Sequence, residues 1–132
     1  MGDYILIVDD EYEIREILRL MLTRVGHPIQ HATNGKTALE IIDQEPPAVI
    51  LLDIMMPVLN GREMFIQLRS NPAFRSIPVL FISAIPRARA DLPELTIEDP
   101  LVDYIEKSDF TPHGLMEKIN ELMTRSVNLT VS

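Results

Sequence analysis

Five short runs of Ile, Val and Leu recur along the chain, and amphipathic stretches fill the intervals between them. Tyr4 to Val8 is unbroken in its apolar character and ends at Asp9-Asp10; runs of this length fit parallel strands covered on both faces. From Glu11 to Val25 the residues Ile14, Ile17, Leu18, Met21, Leu22 and Val25 recur at helical spacing, and Gly26 stands where a helix would stop. Pro28 to Ala32 is a weaker strand, expected at a sheet edge. Asn34-Gly35 then opens a helix carrying Ala38, Leu39, Ile41 and Ile42, which Pro46-Pro47 ends.

The strongest apolar run, Ala48 to Leu52, also ends in acid, at Asp53. A loop through Met55-Met56-Pro57 to Gly61 leads into a helix near Arg62 to Arg69. Ile77 to Ile82 is a fourth run ending at Ser83, and Leu101 to Glu106 a fifth ending at Lys107. A last helix is predicted from about Thr111 to Arg125, with Thr111-Pro112 as its start.

Strands alternating with helices predict an α/β fold: a doubly wound, five-stranded parallel sheet with right-handed crossovers, in the flavodoxin-like order 2-1-3-4-5. In such sheets ligands bind beyond the carboxyl ends of the strands, where the strand order switches between the first and third strands. Asp9, Asp10 and Asp53 are predicted to meet there. A length of 132 residues fits one domain, taken as residues 1–126 with a tail at 127–132. The formal charge of −8 disfavours nucleic acid and anionic membrane as direct partners. No cysteine, no apolar run near the ~18 residues of a bilayer span and no export signal are present, so a cytoplasmic location is expected.

Three carboxylates at one set of strand ends repel one another, so a divalent cation is implied. With oxygen ligands but no cysteine and no compact histidine pair, Mg²⁺ or Mn²⁺ fits best. A carboxylate can also attack phosphorus, and Asp53 is the candidate nucleophile. Each feature has a plainer reading in isolation: Asp9-Asp10 as a helix cap with a first-turn acid, Lys107 as a solvated surface lysine, Ser83 as a strand-end hydroxyl, Tyr104 as a half-buried strand aromatic. Only the joint pattern is informative.

That pattern resembles the response-regulator receiver domains of two-component signalling, from Tyr4 to about Arg125. The acidic pair matches Asp9 and Asp10, the phosphoacceptor matches Asp53 in Asp53-Ile-Met-Met-Pro57, and the helix-opening glycine matches Gly61. The hydroxyl residue matches Ser83, and the aromatic switch and lysine match Tyr104 and Lys107. The resemblance implies that Asp10, Asp53 and the backbone carbonyl of Met55 bind Mg²⁺, with Asp9 acting through a water. It implies that Lys107 and Ser83 bind the phosphoryl oxygens, and that Tyr104 turns inward from a more exposed rotamer. The implied donor is a histidine kinase or histidine phosphotransfer protein, and the implied role is a signalling switch rather than a turnover enzyme. With no output domain after the last helix, output is expected through contacts with a partner, from a monomer or weak dimer.

The sequence departs from the family pattern at several positions. Ser108 follows Lys107 where proline is usual, so the peptide is expected trans with a differently shaped loop. Pro86, Pro93 and Pro100 occupy the stretch that normally forms a regular helix, so a short or displaced helix is expected. The positions that tune phosphoryl lifetime in the family are Met55 and Ile85 here, both apolar, and self-dephosphorylation is expected to be slow. The competing function is a phosphate-independent interaction module on the same fold. An aspartyl-phosphate hydrolase would want a second Asp where Met55 stands, and a flavin module would be repelled by Asp9-Asp10-Glu11.

Overall fold

The computed structural model describes residues 2–23, 26–92 and 98–131. Five strands, β1 (Ile5–Val8), β2 (Ile29–Ala32), β3 (Val49–Leu52), β4 (Val79–Ser83) and β5 (Val102–Glu106), form one parallel sheet in the order β2-β1-β3-β4-β5. The helices are α1 (Tyr12–Leu22), α2 (Gly35–Gln44), α3 (Gly61–Ser70) and α4 (Pro112–Val131). Fold class and strand order are those predicted, with β2 at the edge.

The apolar runs are unbroken because the sheet has a core on each side. Leu6, Val8, Ile50, Leu52, Val79 and Phe81 point to one face, beneath Ala38 and Ile42 of α2 and Met64, Phe65 and Leu68 of α3. Ile5, Ile7, Val49, Leu51, Leu80 and Ile82 point to the other, beneath Leu18 and Leu22 of α1 and Leu115, Ile119 and Leu122 of α4. Successive side chains of a strand alternate between faces, so one short strand feeds both cores. Three of the helices start on side-chain caps: Asn34 Oδ1 accepts from Thr37 N at 2.9 Å, Asn60 Oδ1 from Glu63 N at 2.9 Å, and Thr111 Oγ1 from Gly114 N at 3.0 Å.

The end of the last helix differs from the sequence expectation. Helix α4 starts at Pro112, as the Thr111-Pro112 signal implies, but runs on through Val131 instead of ending near Arg125. No glycine or proline follows Gly114 to stop it, and Ser126 Oγ donates to the Ser76 carbonyl at 3.1 Å, tying the added turn to the body. Between β4 and β5 the described residues hold a short 3-10 turn, Arg87–Arg89, which Pro86 precedes, and a helical residue at Glu98; Pro93 lies outside the described residues. No cis peptide occurs among the described residues, in agreement with the expected trans bond before Ser108. Lys107–Asp109 there forms another 3-10 turn leading to α4.

Candidate functional site

The ladder of the sheet delivers the acidic residues to one place. Val8 is in register with Leu52, so the residues that follow, Asp9 and Asp53, emerge side by side. The hydrogen bonding continues past the strands: Asp53 N donates to the Val8 carbonyl at 2.9 Å and Asp9 N to the Ala32 carbonyl at 3.1 Å. Ser83 pairs with Glu106, which places Lys107 just beyond β5 at the same end of the sheet. Asp9, Asp53 and Ser83 are almost fully buried, at 2%, 4% and 1% exposure.

Each buried carboxylate divides its oxygens in the same way. Asp53 Oδ1 accepts from Ile54 N at 2.8 Å, and its Oδ2 lies 3.5 Å from Lys107 Nζ. Asp9 Oδ1 accepts from Glu11 N at 2.9 Å, and its Oδ2 lies 3.2 Å from the same ammonium. One carboxylate oxygen from each of Asp9, Asp10, Glu11 and Asp53 falls within a 4.8 Å cluster. Burial, reinforced by the charge of Asp9, pushes the Asp53 carboxyl up to about 6 against the opposing pull of Lys107. Burial raises Asp9 too, against the Glu11 N–H and Lys107. Burial works to lower Lys107, but Asp53, Asp9 and Glu11 outweigh it and the ammonium is held more firmly than usual.

The loop from β3 to α3 is shaped by a close approach. A Cβ on Gly61 would sit 2.0 Å from the carbonyl oxygen of Asp53, while Gly61 N donates to the Ile54 carbonyl at 2.9 Å. Only glycine lets α3 begin against the backbone of Asp53. In the same loop Val58 takes a left-handed φ of +69° with its side chain in solvent, a costly conformation for a β-branched residue. Val58→Gly is expected to stabilise the fold by about 1 kcal/mol in urea unfolding, and a loss of stability would contradict that strain.

Ser83 and Tyr104, the residues predicted to act as a switch, lie close to Ile85. Ser83 Oγ accepts from Ile85 N at 3.1 Å. Tyr104 stacks on Phe81 with ring centroids 6.1 Å apart, and its hydroxyl donates to the Ile85 carbonyl at 2.5 Å. The ring expected in a more exposed rotamer is already inside, at 7% exposure, because Phe81 and the Ile85 carbonyl offer it both an apolar wall and an acceptor. Met55 lies two residues past Asp53 and is 65% exposed, and Ile85 packs at the margin of the core. Glu11 is the participant that sequence reasoning missed. Its Oε1 accepts from Lys107 Nζ at 3.2 Å across 96 positions of chain, a contact without a local sequence signal.

Residues 5–120 match the family model for the response regulator receiver domain. The chain belongs to that family. This receiver domain is 34% identical over 128 residues to a probable transcriptional regulator, ycf27, of Pyropia yezoensis, an alignment covering 97% of this chain and 50% of the relative. It is 32% identical over 131 residues to the transcriptional regulatory protein SrrA of Staphylococcus aureus, covering 99% of this chain and 52% of that protein. The receiver domain thus spans about half the length of these curated relatives. Among solved structures, it superposes on the signal receiver domain of a signal transduction histidine kinase from Syntrophus aciditrophicus with a TM-score of 0.80 at 26% identity, over 93% of this chain and 91% of that one. A receiver protein N-terminal domain from Methanoculleus marisnigri is 35% identical with a TM-score of 0.67, over 89% and 93% of the two chains. Among the described residues no helix is long and apolar enough to cross a membrane.

Proposed function

We propose that this receiver domain is a phosphoacceptor switch in which Asp53 takes a phosphoryl group from a histidine kinase or histidine phosphotransfer protein in the cytoplasm. The observation that carries the reading is the convergence on Lys107 of two buried carboxylates, Asp9 and Asp53, from adjacent strands. An oxygen-only donor set, an excess of negative charge and an Asp53 carboxyl raised to about 6 fit a hard divalent cation. Asp10, Asp53 and the backbone carbonyl of Met55 would hold Mg²⁺, or Mn²⁺ in its place, with Asp9 acting through a water. When bound, the metal supplies the positive charge that keeps Asp53 ionised and offsets the phosphoryl oxygens.

A carboxylate oxygen of Asp53 then forms the new bond to phosphorus as the phosphorus–nitrogen bond of the donor phosphohistidine breaks. The electron pair returns to the imidazole, which takes a proton from water. Lys107 serves one phosphoryl oxygen by a charge-assisted bond, and the Ser83 hydroxyl leaves Ile85 N to serve another. Those contacts exist only in the phosphorylated state, so they can bias the position of Tyr104 and of the loop that carries Ile85, and with it affinity for a downstream partner. The inward Tyr104 favours a second reading, in which the module binds its partner without phosphate. Beryllofluoride separates the two readings. The switch predicts a rise in melting temperature that needs both Mg²⁺ and beryllofluoride and is lost in Asp53→Asn; an unchanged wild type would leave the phosphate-independent module.

Slow self-dephosphorylation follows from the apolar side chains of Met55 and Ile85, neither of which can orient a water for in-line attack on phosphorus. The phosphorylated domain is expected to decay over many minutes or longer by intact mass, and a half-life of seconds would contradict this assignment.

A further inference from the structure

Glu11 stands at the position preceding α1, where a polar side chain ordinarily accepts a bond from the free N–H groups of the first turn. Its carboxylate makes no such bond. Its backbone is fixed by the hydrogen bond from Glu11 N to Asp9 Oδ1, and its side chain reaches over the site to Lys107. The ammonium is therefore held 3.2 Å from Asp9, 3.2 Å from Glu11 and 3.5 Å from Asp53, so the proposed phosphoacceptor is the most distant of its three carboxylates. Lys107 is mostly buried, with 16% of its side chain exposed, whereas Glu11 is 60% exposed at the rim.

We propose that Glu11 is a positioning residue that acts through Lys107, drawing the ammonium away from Asp53 and so slowing phosphoryl acceptance. The inference rests on the phosphoacceptor reading. A phosphoryl group on Asp53 needs the closest approach of the lysine, and every bond that Lys107 keeps with Glu11 is one it withholds from the phosphoryl oxygens. Because Glu11 is at the rim, water screens the pair and the competition is modest; removing it is expected to change binding by about three- to fivefold. A role for Glu11 in holding the metal has the opposite sign, since loss of its charge would then weaken the site.

The test uses the full chain at saturating Mg²⁺ and titrates beryllofluoride calorimetrically into wild type, Glu11→Gln, Lys107→Ala and the double variant. Glu11→Gln is expected to bind about three- to fivefold more tightly than wild type and to accept phosphoryl from acetyl phosphate faster by a similar factor. In the Lys107→Ala background the same substitution should change nothing, because the residue through which Glu11 acts is gone. Equal or weaker binding by Glu11→Gln overturns the inference, as does an equal gain with or without Lys107, which would be a general charge effect. A wild type that binds no beryllofluoride overturns the phosphoacceptor reading itself, and this inference with it.

Discussion

Metal-free Asp53→Asn should be more stable than wild type at pH 7.5 and nearly indistinguishable from it near pH 3. The Asp53 carboxyl is held at about 6 in the fold, against an ordinary value of 3.8, chiefly by burial and next by Asp9. Below both values the group is protonated in the folded and unfolded states alike, and ionisation costs the fold nothing. As pH rises from about 4 to 6 the unfolded chain gives up this proton while the folded one keeps it, so stability falls; above 6 the whole cost is present. At 1.36 kcal/mol per unit the cost is about 2–3 kcal/mol, with Lys107 already counted in the site's favour. Asparagine removes the charge and keeps the shape. Urea unfolding in chelator at the two pH values reads the difference, and added Mg²⁺ should raise wild type alone and narrow the gap. A variant less stable than wild type at pH 7.5 would show that Asp53 is satisfied as it stands and that the site has no call for a cation.

Gly61→Ala should cost about 2–3 kcal/mol and weaken beryllofluoride binding together. The added methyl would meet Asp53 O at 2.0 Å and Asp53 C and Ile54 Cα at 2.9 Å, all backbone atoms that no rotamer change can move aside. Relief therefore has to come from shifting either the start of α3 or the carbonyl of Asp53, and the second displaces the proposed phosphoacceptor. The helix propensity gained by alanine is smaller than 1 kcal/mol and cannot offset this. Gly114→Ala is the matched control. The nearest atom there is the Thr111 hydroxyl at 2.9 Å, on a side chain that can rotate at the expense of its cap bond from Gly114 N, a loss that the helix propensity of alanine offsets, so stability should change by less than about 1 kcal/mol. Equal effects at the two glycines would contradict the role given to the Gly61 contact.

Much of this was legible in the sequence for a physical reason. Strands covered on both faces cannot alternate in polarity, so Ile5–Val8, Val49–Leu52 and Val79–Ser83 announce themselves as unbroken apolar runs whose first polar residue marks the carboxyl end of the sheet. Reading off those first polar residues locates Asp9, Asp53 and Ser83 together, and the structure places them so. Helix starts were equally readable at Asn34 and Pro112, where short-range capping and proline geometry act. Features set by long-range geometry were not. Nothing near Glu11 signals a lysine 96 positions away, and nothing near Tyr104 signals that the Ile85 carbonyl will accept its hydroxyl. The end of α4 is not legible either, because no glycine or proline follows Gly114 to mark it.

The most direct test of the account is intact mass after incubation with acetyl phosphate and Mg²⁺, run on wild type, on Asp53→Asn and on wild type with the metal chelated. The account predicts a single phosphoryl addition in the first sample alone. An addition that survives in Asp53→Asn, or one that forms equally well without the metal, would contradict it.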